Sequence, residues 1–175
     1  TACTLWPSIR ALWVSWVDSL SLAPPRPLLS AAVRAAAVQS AIHVFTDASL
    51  SGYGAMFFAQ DDTDVVAGAW NETVRAHINV LEIRAVRLAL QVWRRRDVSI
   101  VLHVDNTTAM HAINKGSSSA YAINAEVGRL LFVCETKNIR VMSVEYVNTL
   151  LNPADYWSRL VKNSFAAPLS GNYRQ

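Results

Sequence analysis

Two short apolar runs each end in an aspartate, and the chain between them has the period of a helix. Ile42-His43-Val44-Phe45-Thr46-Asp47 and Ile100-Val101-Leu102-His103-Val104-Asp105 carry the β-branched and aromatic residues of strands. Between them Ile83, Val86, Leu90 and Trp93 recur at helical spacing. A strand, a helical crossover and a second strand in the same sheet run parallel. Asp47 and Asp105 are therefore expected at the carboxyl ends of neighbouring parallel strands, where open α/β sheets place their ligands.

The remaining pattern completes the order β-β-β-α-β-α-α-β-α. Turn residues at Ser51-Gly52 and at Asp61-Asp62-Thr63-Asp64 flank strands predicted over 53–59 and 65–70, giving an antiparallel meander. Asn79 is placed to cap the crossover helix, with Glu82 three residues on in a capping box. That helix is expected to end at Arg94-Arg95-Arg96. A short helix follows over 107–113, then a loop from Lys115 to Ser119. A long helix over 121–137 turns Ile123, Val127, Leu130, Leu131 and Cys134 to the core. A fifth strand covers 139–147, and Pro153 suits the first turn of a last helix. The fold class is α/β: a five-stranded mixed sheet, three antiparallel strands plus two parallel crossover strands, flanked by helices.

Residues 1–40 have a different character. Trp6, Trp13 and Trp16 precede Pro24-Pro25-Arg26-Pro27, which enforces an extended link, and 28–40 is Ala-rich. We read 1–40 as a connector, 41–162 as the folded domain and 163–175 as a C-terminal tail. Hydrophobic residues make up 52% of the chain and charged residues 17%, with six Trp. This apolar lean, and a first residue that is Thr, suit a module of a longer polypeptide with some surface facing a neighbour.

The net charge of +3 is compatible with a nucleic-acid partner, although the basic residues are dispersed apart from Arg94-Arg95-Arg96. Cys3 and Cys134 form neither a zinc motif nor a disulfide framework, which suits a reducing compartment, cytoplasm or nucleus, rather than secretion. The apolar stretch 11–23 is too short to span a bilayer and lacks the features of a secretory signal. No membrane partner is expected.

Four carboxylates lie on these elements: Asp47 and Asp105 at strand ends, Glu82 in the first turn of the crossover helix, and Asp155 in the first turn of the last. Each alone has an ordinary explanation as a turn residue, cap or dipole partner. Together they form an all-oxygen set without His or Cys, which selects Mg²⁺ or Mn²⁺. Two such ions about 4 Å apart serve phosphodiester cleavage.

The motifs around them resemble the ribonuclease H family. Thr46-Asp47-Ala48-Ser49 with Gly52-Tyr53-Gly54-Ala55 is similar to its first-strand pattern. Leu81-Glu82-Ile83-Arg84-Ala85 is similar to its helix glutamate, Val104-Asp105-Asn106 to its fourth-strand aspartate, and Asn152-Pro153-Ala154-Asp155 to its last ligand. Finer strings, Asp105-Asn106-Thr107-Thr108-Ala109, Ile113-Asn114-Lys115 and Ser158-Arg159, resemble ribonuclease H domains of retroelement reverse transcriptases of the DIRS, Ngaro and VIPER type.

The resemblance implies endonucleolytic hydrolysis of the RNA strand of an RNA·DNA hybrid by two Mg²⁺ ions, with Mn²⁺ able to substitute. It implies that Asp47 bridges both ions, Glu82 and Asp105 complete one site and Asp155 the other. An upstream reverse transcriptase domain of the same polyprotein would then precede the connector. Asn79, Asn106 and Thr107 border the ligands and are candidates for sugar or phosphate contacts, and Lys115 is a candidate to reach a phosphate. The chain departs from the family in two places. The loop Tyr146-Val147-Asn148-Thr149-Leu150-Leu151 has no histidine, and the short 115–119 loop stands where cellular enzymes carry a basic helix. The apolar N-terminal segment and the missing histidine favour a rival reading, a catalytically weak or inactive module that binds nucleic acid or serves structure within a larger polyprotein, and the intact acidic set argues against it. A resolvase or integrase-type nuclease on the same fold is a further rival, disfavoured by the four-carboxylate set.

Overall fold

The structure, a computed structural model, describes residues 38–60, 62–70, 76–160 and, as backbone, the strand 169–172. The chain divides into two units, Thr1–Ala32 and Val33–Gln175, and every described residue belongs to the second. The expected connector 1–40 lies, but for its last three residues, outside the described residues, as does Cys3.

Three strands, β1 (Ile42–Ala48), β2 (Gly52–Phe58) and β3 (Thr63–Ala69), form the meander. Helix α1 (Ile78–Val92) crosses over to β4 (Ser99–Val104), followed by α2 (Thr107–Lys115), α3 (Tyr121–Thr136) and β5 (Arg140–Tyr146). A 3-10 turn (Thr149–Leu151) leads to α4 (Ala154–Leu160), and β6 (Leu169–Asn172) closes the order. The sheet order is β5-β4-β1-β2-β3-β6. β1 runs antiparallel to β2 and parallel to β4, and β4 runs parallel to β5. The five-stranded mixed sheet is thus as expected. The sixth strand comes from the segment read as a tail and pairs antiparallel with β3. Leu-Ser-Gly-Asn is too short and polar to read as a strand; the unpaired ladder groups along the edge of β3 recruit it.

Alternation along β1 fixes which face carries the core. Ile42, Val44 and Thr46 are buried on the helix-covered face, whereas His43 is exposed and Phe45 half-buried on the other. Phe57, Leu81, Ile83, Leu90, Ile100, Leu102 and Leu130 are among the largest fully buried side chains and join sheet, α1 and α3 in one core. Leu131, expected in that core, is 45% exposed; Val133 is buried instead. Ile123, Val127 and Leu130 are buried as expected, so the helix phase holds and only the flank of its apolar face differs. Cys134 is buried as expected, and desolvation pushes its thiol up to about 11. No helix among the described residues is long and apolar enough to cross a membrane.

Two boundaries of α1 differ from expectation, and both bear on the site. The N-cap is His77, whose side chain accepts from the backbone N–H of Asn79, so Asn79 lies inside the first turn and no capping box forms. Glu82 is thereby released from a capping role. At the other end the helix stops at Val92, because Trp93 turns into the core. Its ring stacks on Phe57 at 4.2 Å and its Nε1 donates to Asp64 at 2.8 Å. Arg94, Arg95 and Arg96 are consequently outside the helix, with Arg95 paired to Asp62 at 2.8 Å.

Candidate metal centre

Asp47, Glu82 and Asp105 offer carboxylate oxygens that all lie within 4.8 Å of one another, a group that could hold a metal ion. β1 delivers Asp47, α1 delivers Glu82 from its first turns, and the residue just past β4 delivers Asp105. The parallel pairing of β1 with β4, which sets Thr46 opposite Val104, aligns the next residues in both strands and so brings the two aspartates together.

The local electrostatics are unfavourable without a cation. Asp47 and Glu82 are each only 4% exposed. Burial, followed by the charges of Asp105 and Asp47, pushes Glu82 up to about 9, against one opposing hydrogen bond from the Ala48 backbone. Burial also raises Asp47 to about 6; a hydrogen bond from Ser158 opposes this, and Asp105 and Asp155 add to it. The Oε2 atom of Glu82 is buried without any hydrogen-bond partner. Buried carboxylate oxygens are normally paired, and those that are not call for an ion. Hard oxygen donors with an orphaned buried oxygen fit a divalent cation of the Mg²⁺ or Mn²⁺ kind.

Asp155 stands beside this group rather than in it. It sits in the first turn of α4, its Oδ1 accepting from Arg159 Nη2 at 2.6 Å and Nε at 2.9 Å. Its charge nevertheless acts on Asp47. The helix itself is fixed to the site by contacts that the spacing of acids did not reveal. Ser158 Oγ donates to Asp47 Oδ2. Asn152 is buried, donates to the Thr46 carbonyl at 2.9 Å and accepts from the Ala154 N–H at 3.1 Å. Ser49 Oγ donates to the Ser158 carbonyl at 2.8 Å. Gly54 lets the helix lie directly on β2, since a Cβ there would come within 2.6 Å of Ser158 N and 2.7 Å of Ala154 O. The Gly and Asn of the two sequence motifs are therefore docking residues for the helix that carries the fourth carboxylate.

Asn79, Asn106 and Thr107 fall at this end of the sheet, and Lys115 lies at the far end of α2. Asn106 caps α2 through Ala109 N–H and donates from Nδ2 to Asn79 Oδ1 at 2.9 Å, which links the two helices beside the carboxylates. Thr107 is the exposed first residue of α2, and Lys115 its exposed last, before Gly116 closes the helix at φ 71°. His43 and His103 lie on the open face of the sheet, joined at 2.9 Å between Nδ1 and Nε2, and do not enter the carboxylate group.

The sheet order, its helices and the carboxylates at the ends of β1 and β4 define a ribonuclease H-like fold. Solved structures share it, the following three among them. RNase H1 from the halophilic archaeon Halobacterium salinarum NRC-1 aligns over 69% of this chain and 96% of its own, with a TM-score of 0.53 and 16% identity. The N-terminal RNase H domain of rv2228c from Mycobacterium tuberculosis, solved as a fusion with maltose-binding protein, aligns over 70% of this chain and 93% of its own, with a TM-score of 0.54 and 15% identity. LC11-RNase H1, solved in complex with an RNA/DNA hybrid, aligns over 66% and 91%, with a TM-score of 0.50 and 11% identity. At these identities the likeness is one of fold. No sequence model of a protein family matches the chain, and no curated protein does.

Proposed function

We propose that this chain is a metal-dependent ribonuclease H that hydrolyses the RNA strand of RNA·DNA hybrids, within the reverse transcriptase polyprotein of a retroelement. The observation that carries the reading is the convergence of Asp47, Glu82 and Asp105 around an orphaned carboxylate oxygen, on a ribonuclease H-like fold. In this reading residues 41–162 hold the nuclease domain, 1–40 connect it to a polymerase domain, 163–175 follow it, and the setting is intracellular.

Asp47, Glu82, Asp105 and Asp155 would hold the metal. When bound, two divalent ions supply an activated water and charge stabilisation for the leaving oxygen. The protein's own part is positional. Ser158 holds one oxygen of Asp47, and the Ala48 N–H holds Glu82. The Asn79–Asn106 pair presents amide groups beside the carboxylates, suited to the 2′-hydroxyls that distinguish RNA from DNA. Thr107 and Lys115, exposed at the two ends of α2, are placed for phosphate contacts.

A second reading is a binding module without turnover. It is favoured by the Asp155–Arg159 ion pair, which occupies the fourth carboxylate, and by the loop 147–151 without histidine. The test is incubation of the full chain with labelled hybrid, DNA duplex and RNA duplex in Mg²⁺ or Mn²⁺, with Asp47→Asn as control. Cleavage of only the hybrid's RNA strand, lost in Asp47→Asn, is expected. Hybrid bound but uncut at high enzyme concentration would establish the second reading, and cut duplex DNA would move the chain to another nuclease class.

A further inference from the structure

At the far end of the helical layer, α1 and α3 enclose a groove of about 580 Å³ that no part of the reading above uses. Its walls carry Arg87, Arg96, Arg129 and Lys137, together with Phe132 and Thr136. Along α1 the groove begins at Arg87, about 8 Å along the helix axis from Glu82, and extends past Gln91, about 14 Å from it. It faces the ends of α1 and α3 that lead into β4 and β5, opposite to the strand ends that hold Asp47 and Asp105.

The groove is electropositive by construction. The carboxylate beneath it, Glu126, is 1% exposed and accepts from Arg84, Arg87 and Arg129, so one negative charge faces three guanidinium groups. Arg87 is further held by Gln91 at 3.1 Å, which fixes its plane. Lys137 reaches the Leu90 carbonyl at 2.7 Å and the Trp93 carbonyl, so its ammonium is drawn to the end of α1. Burial, and then the charge of Arg96, lower its pKa, which places a second cation beside it.

Two further features point to the occupant. Phe132 is 69% exposed in the middle of this basic surface. An exposed aromatic ring among cations is the arrangement that stacks an unpaired base while its phosphates are neutralised. Gly128 also lines the groove, in the interior of α3, and a Cβ there would meet nothing within 4 Å. Glycine in a helix interior costs about 1 kcal/mol relative to alanine. No contact within the described residues asks for it, and its effect is to keep the groove floor clear.

We propose that this groove is a second nucleic-acid site, which takes a single-stranded segment by stacking a base on Phe132 and holding phosphates with Arg87, Arg96, Arg129 and Lys137. Duplex bases are stacked inward and could not meet the ring, so the site favours an unpaired strand. The groove shares no residue with the metal centre, and the proposal stands whether or not the carboxylates cut hybrid.

The test is fluorescence anisotropy of a labelled dT12 strand with the full chain in EDTA, for wild type, Phe132→Ala, Arg96→Glu, Gly128→Leu and Asp47→Asn. Binding that weakens with salt is expected, reduced about tenfold by Phe132→Ala and by Arg96→Glu. Gly128→Leu fills the groove and improves helix propensity, so it should bind poorly while melting at or above the wild-type temperature. Asp47→Asn should bind as wild type. The proposal is overturned if the groove variants retain wild-type affinity, if Asp47→Asn alone reduces it, or if a polyglutamate peptide displaces dT12 at equal charge with no sensitivity to Phe132→Ala. The last outcome would assign the groove to an acidic protein segment.

Discussion

Among the described residues two glutamates are buried, Glu126 and Glu82, and their surroundings are opposite. Glu126, on α3, is 1% exposed and sits against Arg84, Arg87 and Arg129 at about hydrogen-bonding distance, between 2.9 and 3.0 Å. Burial raises its pKa, but hydrogen bonding and charge from Arg87 and Arg84 outweigh burial and leave it below the ordinary value. Glu82, on α1, is 4% exposed and has no cation beside it; burial, then the like charges of Asp105 and Asp47, carry it up to about 9 against one hydrogen bond from the Ala48 backbone. The fold therefore has the means to neutralise a buried carboxylate and does so at one end. At the other end it leaves the carboxylates facing one another, an arrangement that gains most when a divalent cation arrives.

The comparison breaks first on catalysis. Asp47→Asn or Asp105→Asn should lower hybrid cleavage by about 100-fold or more, since a metal ligand matters at least as much as its outer partners. Glu126→Gln should leave the rate per folded molecule within a few fold, as measured on labelled hybrid. Stability should show the reverse ranking. Glu126→Ala leaves three guanidinium groups without their carboxylate, and because Arg129 and Arg84 are partly exposed, the loss in urea unfolding should be about 2 kcal/mol, below the usual range for a broken buried pair.

The third effect concerns pH and is the most discriminating in sign. Glu82 has its folded pKa raised from 4.5 to about 9, so the folded metal-free protein binds the proton more tightly than the unfolded chain. Its contribution is thus fully present below about 4.5 and is lost as pH rises toward about 9. Glu82→Gln has no such titration and should flatten the decline of melting temperature with pH in EDTA. At pH 8 the variant should match or exceed wild type. A variant clearly less stable than wild type at that pH would mean that Glu82 is held by cations after all, as Glu126 is.

The order of elements and the convergence of Asp47 with Asp105 were legible in the sequence, because strand alternation and a helical crossover constrain direction strongly. Glu82 was legible as a member of the carboxylate group only in company; its local reading as half of a capping box pointed elsewhere, and His77 took the N-cap role through tertiary placement. Ser158 and Asn152 stood in the quoted motifs, but their bonds to Asp47 and Thr46 span more than a hundred residues and leave no local signal. The cage around Glu126 was missed for the same reason, as its arginines come from two helices. Strand β6 could not be read from Leu-Ser-Gly-Asn, in which three of the four residues are small or polar. Leu131 lies on the flank of the apolar face of α3, where helical spacing alone does not decide burial.

The central claim is that Asp47, Glu82 and Asp105 together hold a divalent cation that replaces a proton. Calorimetric titration of Mn²⁺ into the metal-free chain, repeated in buffers of different ionisation enthalpy, measures both binding and proton release. At pH 7, where Glu82 is protonated and Asp47 largely is not, about one proton should leave as metal binds, and Glu82→Gln should abolish that release. Mn²⁺ binding with no proton release, or release unchanged in Glu82→Gln, would contradict the account.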